Sequence, residues 1–62
     1  MNAAIISLAF DLAAVGIEKL VIGSRVDELA AAGKSDAEIA DELRKWRDQA
    51  IAAAQAEIDR AP

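Results

Sequence analysis

The sequence predicts an all-α fold, an antiparallel two-helix hairpin with helices at about residues 3–32 and 36–60. Apolar residues recur at helical spacing, and no window alternates as a strand would. Ala supplies 16 of the 62 residues, whereas Gly supplies three and Pro only one. A single strong stop signal, Gly33-Lys34-Ser35, divides the chain. Because so short a loop forces neighbouring helices to run antiparallel, we expect residues 1–62 to form one helical-hairpin domain.

The first predicted helix is apolar on most sides. Asn2 can cap its start, since an Asn side-chain oxygen accepts from the first free amides. Four of its polar residues share one narrow stripe, and nearly all the other residues are apolar; these four are Ser7, Asp11, Glu18 and Arg25. Small residues follow the opposite side at intervals of seven: Ala9, Gly16, Gly23 and Ala30. Small residues let helices approach closely, so we expect Trp46 of the second helix to pack here, with Gly23 making room for the indole.

Capping residues define the boundary between the two helices. Gly33 suits the left-handed conformation that follows a helix end. Ser35 and Glu38 have the spacing of a capping box, in which each side chain binds the other residue's amide. One helix should therefore end near Ala32 and the next should start at Asp36.

The second predicted helix is amphipathic. Its inner stripe follows the 4-3 spacing of a coiled coil, with Ile39, Leu43, Trp46, Ala50, Ala53 and Glu57 in the seam and Ile51, Ala54 and Ile58 beside it. Its other faces carry charged residues, including the i,i+4 pairs Asp41–Lys45 and Arg44–Asp48. These residues are typical of a solvated face.

The two helices carry unequal amounts of apolar surface, with twelve large apolar side chains on the first and five on the second. One helix covers only one side of another, so several side chains need a further partner. Leaving a large apolar side chain in water forfeits roughly 1.5–3 kcal/mol of burial free energy, and a patch of such side chains usually indicates an interface. We expect a homo-oligomer, most simply a four-helix bundle made by a two-fold pair of hairpins. The first helix should extend about a turn beyond the second. The predicted interface is Ile5, Ile6, Leu8, Phe10, Leu12, Val15, Ile17 and Val21.

Composition argues against most catalytic and metal-binding chemistry. The chain has no His and no Cys, which removes the imidazole base, the thiolate and the usual zinc ligands. Asp11 and Glu18 lie two turns apart and could act as an acid–base pair, but a solvated stripe is the commoner role for such residues. We expect no catalytic residue, no cofactor and no metal.

Charge and hydropathy limit the classes of partner. The net charge of −4 disfavours nucleic acid, whose phosphates attract Lys and Arg, although Arg44-Lys45-Trp46-Arg47 is a short basic cluster. No positive segment precedes the apolar start, so we expect no signal peptide and a place in the cytoplasm or within a larger particle. Asp11 and Glu18-Lys19 interrupt the apolar run before it could span a membrane.

These observations favour a non-enzymatic structural or interaction protein, of the kind that phage or mobile elements encode. Its expected partner is itself or another helical protein. Two alternatives stay open: a regulator or inhibitor that binds one host protein through the first helix, and a membrane-active hairpin.

Overall fold

A computed structural model describes residues 2–60 and places three α-helices in that range, with no strand. Helix α1 spans Ala3–Ala14, α2 spans Lys19–Ala31 and α3 spans Asp36–Arg60. The all-α class is confirmed, and α3 has the bounds predicted for the second helix. The two-helix hairpin is wrong, because the predicted first helix is two helices. A four-helix bundle of two hairpins is wrong for the same reason.

The predicted first helix breaks at Gly16, which has a φ of +102°. The amide of Ile17 donates to the carbonyl of Leu12, and the amide of Gly16 donates to that of Ala13, each at 3.1 Å. These two bonds form a Schellman motif, which ends a helix by satisfying its last carbonyls. Only glycine adopts such a φ without strain, so Gly16 is a helix terminator and not an interior packing residue.

The end of α2 repeats this motif. Gly33 has a φ of +83°, its amide donates to Ala30, and the Lys34 amide donates to Leu29. Each of the two loops between the helices therefore begins with a Schellman motif that contains a glycine of positive φ.

Reciprocal side-chain bonds start the flanking helices. The Ser35 amide donates to the Glu38 carboxylate at 3.0 Å, and the Glu38 amide donates to the Ser35 hydroxyl at 3.2 Å. At the start of α1, the Asn2 side chain accepts from the Ile5 amide at 3.0 Å. All three residues therefore occupy the positions that the sequence gives them.

Contacts along the helices establish an up-down-up order. Asn2 and Ala4 share a groove with Ala37 and neighbouring residues at the start of α3, whereas Val15 shares one with Ile51. Helices α1 and α3 therefore run in the same direction. In α2, Leu20 faces Trp46 and Leu29 faces Glu42, so α2 runs opposite to α3. The described residues form an elongated body of 44 × 19 × 18 Å.

The core contains three buried residues from each helix. They are Ile5, Leu8 and Leu12 of α1, Ile22, Val26 and Leu29 of α2, and Ile39, Ala40 and Leu43 of α3. The break at Gly16 makes this core possible, since it lets the second half of the apolar segment fold back onto the first. The chain thus covers by itself much of the surface that was expected to need a partner.

Helix α3 extends past the other two. Every residue from 51 to 60 is exposed, and we call this segment the α3 tail. The expectation that the first helix would be the longer one is wrong, because Gly16 shortens it. The α3 tail contains two exposed large apolar residues, Ile51 at 48% and Ile58 at 66%.

Candidate interaction surface

The structure divides the predicted interface into a buried and an exposed half. Ile5, Leu8 and Leu12 are at most 6% exposed and belong to the core. Their assignment to an intermolecular interface is therefore wrong, because α2 and α3 cover them within the chain. Ile17 is partly buried against the same core. The other four stay exposed: Ile6 at 43%, Phe10 at 66%, Val15 at 37% and Val21 at 49%.

Ile6 and Phe10 border an apolar groove between α1 and α2, which we call the α1/α2 groove. Its remaining apolar lining is Ala9, Ala13, Ile22, Gly23 and Val26, and its volume is about 280 Å³. The groove carries two charged residues on its α2 side, Lys19 and Asp27. Within residues 2–60, neither of them forms an ion pair. A concave apolar strip with one charge of each sign is suited to binding a helix.

The predicted close packing along the small-residue stripe is wrong. Gly16 lies outside the helices, and a Cβ built on Gly23 meets no atom within 4 Å. Gly23 therefore makes no room for an indole; it faces the open α1/α2 groove. Ala30 is exposed, and Ala9 is partly buried beside the core.

Trp46 lies on the opposite side of α2 from this groove. It packs partly buried against the core and shares a shallow depression with Leu20, Val21 and Ser24. Trp46 therefore lies near Val21, as the sequence predicts. Gly23 does not contribute to this packing. Leu20 is 83% exposed, the highest value among the exposed large apolar residues.

Acidic residues neutralise the basic cluster around Trp46. Arg44 and Lys45 both contact Asp41, at 3.2 and 3.6 Å. Arg47 contacts Asp11 at 3.4 Å and Asp48 at 3.1 Å. An ion-paired guanidinium has less free charge to offer to a phosphate.

In the described part of the chain, no polar or charged residue is buried. No group of three or more acidic residues there could hold a metal ion. Glu38 is exposed in the capping box, where first the amide and then the side chain of Ser35 lower its pKa below the ordinary value of 4.5. The lowered pKa of Glu38 is explained by the hydrogen bonds of the capping box. Between residues 2 and 60, every helix falls short of the length and apolarity needed to cross a bilayer.

Comparison with known proteins gives no relative: no protein-family model, no curated protein and no solved structure matches the chain.

Sequence reasoning missed Leu20 and the α3 tail as exposed apolar surface. Both follow from the Gly16 break, which folds α2 back and leaves the end of α3 uncovered. The signal was Gly16-Ile17 directly after Val15, since a glycine followed by an apolar residue is the pattern of a Schellman end.

Proposed function

We propose that this protein is a non-enzymatic helical subunit that works by association with another helical surface, most simply a second copy of itself. The observation that carries the proposal is the pair of exposed large apolar side chains on the α1/α2 groove, Ile6 and Phe10. Phe10, at 66% exposed, is the largest side chain on that groove.

Covering the exposed side chains of this groove would stabilise an assembly. Full burial of a Phe or Ile side chain gains roughly 1.5–3 kcal/mol, and Ile6 and Phe10, at 43% and 66% exposed, each forfeit part of that free energy. Single exposed apolar residues are ordinary on soluble proteins, but a concave group of them is typical of a binding surface. Ile6 and Phe10 occupy one rim of the groove, so a helix seated there would cover both side chains at once.

Sedimentation equilibrium in plain buffer tests the proposal, with Phe10→Gln as the variant and Ser7→Gln as its control. Both positions are exposed on α1 and lie about one turn apart. The native chain should form a closed oligomer, Phe10→Gln should weaken it by about tenfold or more given the lost burial, and Ser7→Gln should leave it unchanged.

Each other result counts against self-association. A native chain that stays monomeric at high concentration contradicts it, as does an oligomer that is insensitive to Phe10→Gln. A folded monomer would favour the regulator alternative, in which the same groove binds another protein.

A further inference from the structure

We propose that two copies of the chain pair through the α1/α2 groove, with a two-fold axis at Gly23 and the two α2 helices antiparallel. This inference rests on the proposed self-association and names its contact. Three features of the groove indicate a second copy as its occupant: two opposite charges at equal distances from one point, a glycine at that point, and a rim with two exposed apolar side chains.

The first feature is the spacing of the two charged residues on the groove. Lys19 and Asp27 both line it, and each lies four residues from Gly23, about 6 Å along α2 and about 40° around the helix. A two-fold axis at Gly23 that makes the helices antiparallel places each lysine level with the aspartate of the other copy. Because one surface supplies both halves of a two-fold contact, this spacing makes the α2 side of the groove complementary to itself. Parallel helices would instead place each lysine against its own copy.

The fold of a single chain gives these two charges no partner. Within residues 2–60, neither Lys19 nor Asp27 forms an ion pair. Lys19 is the first residue of α2, where the helix dipole favours an acidic side chain over a basic one. A second copy placed as proposed supplies each residue with an opposite charge.

The second feature is the glycine midway between the charges. Gly23 lies inside α2, where glycine is less favourable than alanine, and a Cβ built on it meets no atom within 4 Å. In helix pairs that cross at about −50°, rows of residues spaced by four lie against each other. The row of Lys19, Gly23 and Asp27 then aligns with the same row of the other copy. Glycine at the crossing point lets the two backbones approach closely.

The third feature is the apolar rim on the α1 side of the groove. Ile6 is 43% exposed and Phe10 is 66% exposed. Because the proposed axis is perpendicular to the helices, α1 of one copy lies on the same side of the contact as α1 of the other. The exposed side chains of the two rims therefore face each other across the contact, and the groove, of about 280 Å³, can receive part of the facing Phe10. The pairing covers the apolar surface on which self-association depends.

Charge reversal tests the pairing by sedimentation equilibrium. Lys19→Glu brings two carboxylates together at each end of the contact, and Asp27→Lys brings two ammonium groups together. Each variant alone should therefore raise the dimer dissociation constant by about tenfold or more.

Combining the two reversals should restore the dimer. In an equimolar mixture of Lys19→Glu and Asp27→Lys chains, opposite charges face each other again, so a dimer with one chain of each kind should form. A chain that carries both substitutions should pair with itself as tightly as the native chain, to within about threefold.

A matched control separates the local contact from the overall charge of the chain. Glu28→Lys makes the same change of charge as Asp27→Lys, but about 140° around α2 from Gly23, and should change the dissociation constant by less than about threefold. Overall repulsion would move the two test variants in opposite directions, because Lys19→Glu makes an acidic chain more acidic and Asp27→Lys makes it less so. Circular dichroism checks that every variant keeps its helix content.

Cysteine cross-linking gives a second measurement, because the chain has no cysteine of its own. A residue on a two-fold axis meets its own copy, and a disulfide needs Cα atoms within about 7 Å of each other. Gly23→Cys should therefore give a covalent dimer under mild oxidation, whereas Ser24→Cys, about 100° further around α2, should not.

The outcomes separate this inference from the proposed function. A native dimer that Lys19→Glu and Asp27→Lys leave unchanged overturns the α2 pairing and leaves self-association standing. The pairing is also overturned by a mixture that dissociates as readily as either variant alone, by an equal loss with Glu28→Lys, or by equal cross-linking of Ser24→Cys. A native chain that is monomeric throughout overturns both proposals.

Discussion

The guanidinium of Arg47 in α3 lies 3.4 Å from the carboxylate of Asp11 in α1, which joins residues 36 positions apart in the chain. In residues 2–60 the other ion pairs are local contacts within one helix. The side chain of Arg47 is 28% exposed and that of Asp11 is 50% exposed. The pair joins α1 and α3 at the surface of the body, in keeping with the parallel direction of the two helices.

A double-mutant cycle with Asp11→Ala and Arg47→Ala should give a coupling free energy of about 0.2–1 kcal/mol, the range of exposed ion pairs. Urea unfolding measures it, and the coupling should fall as salt screens the charges. Asp41→Ala with Arg47→Ala is the control cycle, because Asp41 binds Arg44 and Lys45 instead. A coupling no larger than that of the control would show that the bridge contributes nothing.

The two glycines of the apolar segment should respond oppositely to alanine. Gly16→Ala forces a side chain into a φ of +102°, which costs about 1–3 kcal/mol. Gly23 lies inside α2 with open space at its Cβ position, so Gly23→Ala should stabilise the fold by about 0.5–1 kcal/mol. Thermal and urea unfolding at low protein concentration measure both values.

This pair of variants also distinguishes three helices from two. If residues 3–31 formed one continuous helix, both glycines would be interior and both alanines would stabilise. Equal stabilisation by the two substitutions would therefore contradict the break at Gly16.

The capping chemistry could be predicted from sequence because it is local. Ser35 and Glu38 are three residues apart, and their two hydrogen bonds depend on little beyond that spacing. The bounds of α3 followed for the same reason.

The break at Gly16 was harder to predict because glycine has two roles in such a segment. A glycine among apolar residues is compatible with close helix packing and with a helix end, and the seven-residue interval to Gly23 favoured packing. The deciding factor is tertiary: a fold-back buries Ile22 against Leu8 and Leu12 in one core, whereas a continuous helix would leave one of these faces uncovered. The unexpected break at Gly16 accounts for the wrong number of helices. It also accounts for the wrong assignment of Ile5, Leu8 and Leu12 to an intermolecular interface.

Burial should separate two leucines that look alike in the sequence. Leu43 is 0% exposed and Leu20 is 83% exposed. Leu43→Ala leaves a cavity and should cost about 2–5 kcal/mol, enough to unfold much of a marginally stable small domain. Leu20→Ala should change the unfolding free energy by less than about 0.5 kcal/mol.

Urea titration followed by circular dichroism compares the two leucine variants. Leu43→Met serves as the volume-conserving control and should cost less than about 1.5 kcal/mol. Similar losses for Leu43→Ala and Leu20→Ala would mean that Leu20 is covered in solution, and the packing of α2 would need revision.

The capping box should give the fold a dependence on acid. Hydrogen bonds from the Ser35 amide, and then from its side chain, hold the pKa of Glu38 below its ordinary value of 4.5. A carboxylate with a lowered folded-state pKa contributes stability that is fully present above the unfolded-state pKa and is lost as the pH falls through the folded-state pKa. The contribution of Glu38 should therefore be constant near neutral pH and should be lost progressively as the pH falls below the ordinary value of 4.5.

Unfolding free energies of the native chain and of Glu38→Gln, measured from pH 7 to pH 3, test this dependence. Glutamine keeps a capping oxygen but cannot be charged, so the native chain should be the more stable at pH 7 and the difference should vanish in acid. Ser35→Ala is the control, because it removes the hydroxyl and should reduce the pH dependence that Glu38 contributes. A difference between the native chain and Glu38→Gln that stays the same down to pH 3 would mean that the charge of Glu38 does not stabilise the start of α3.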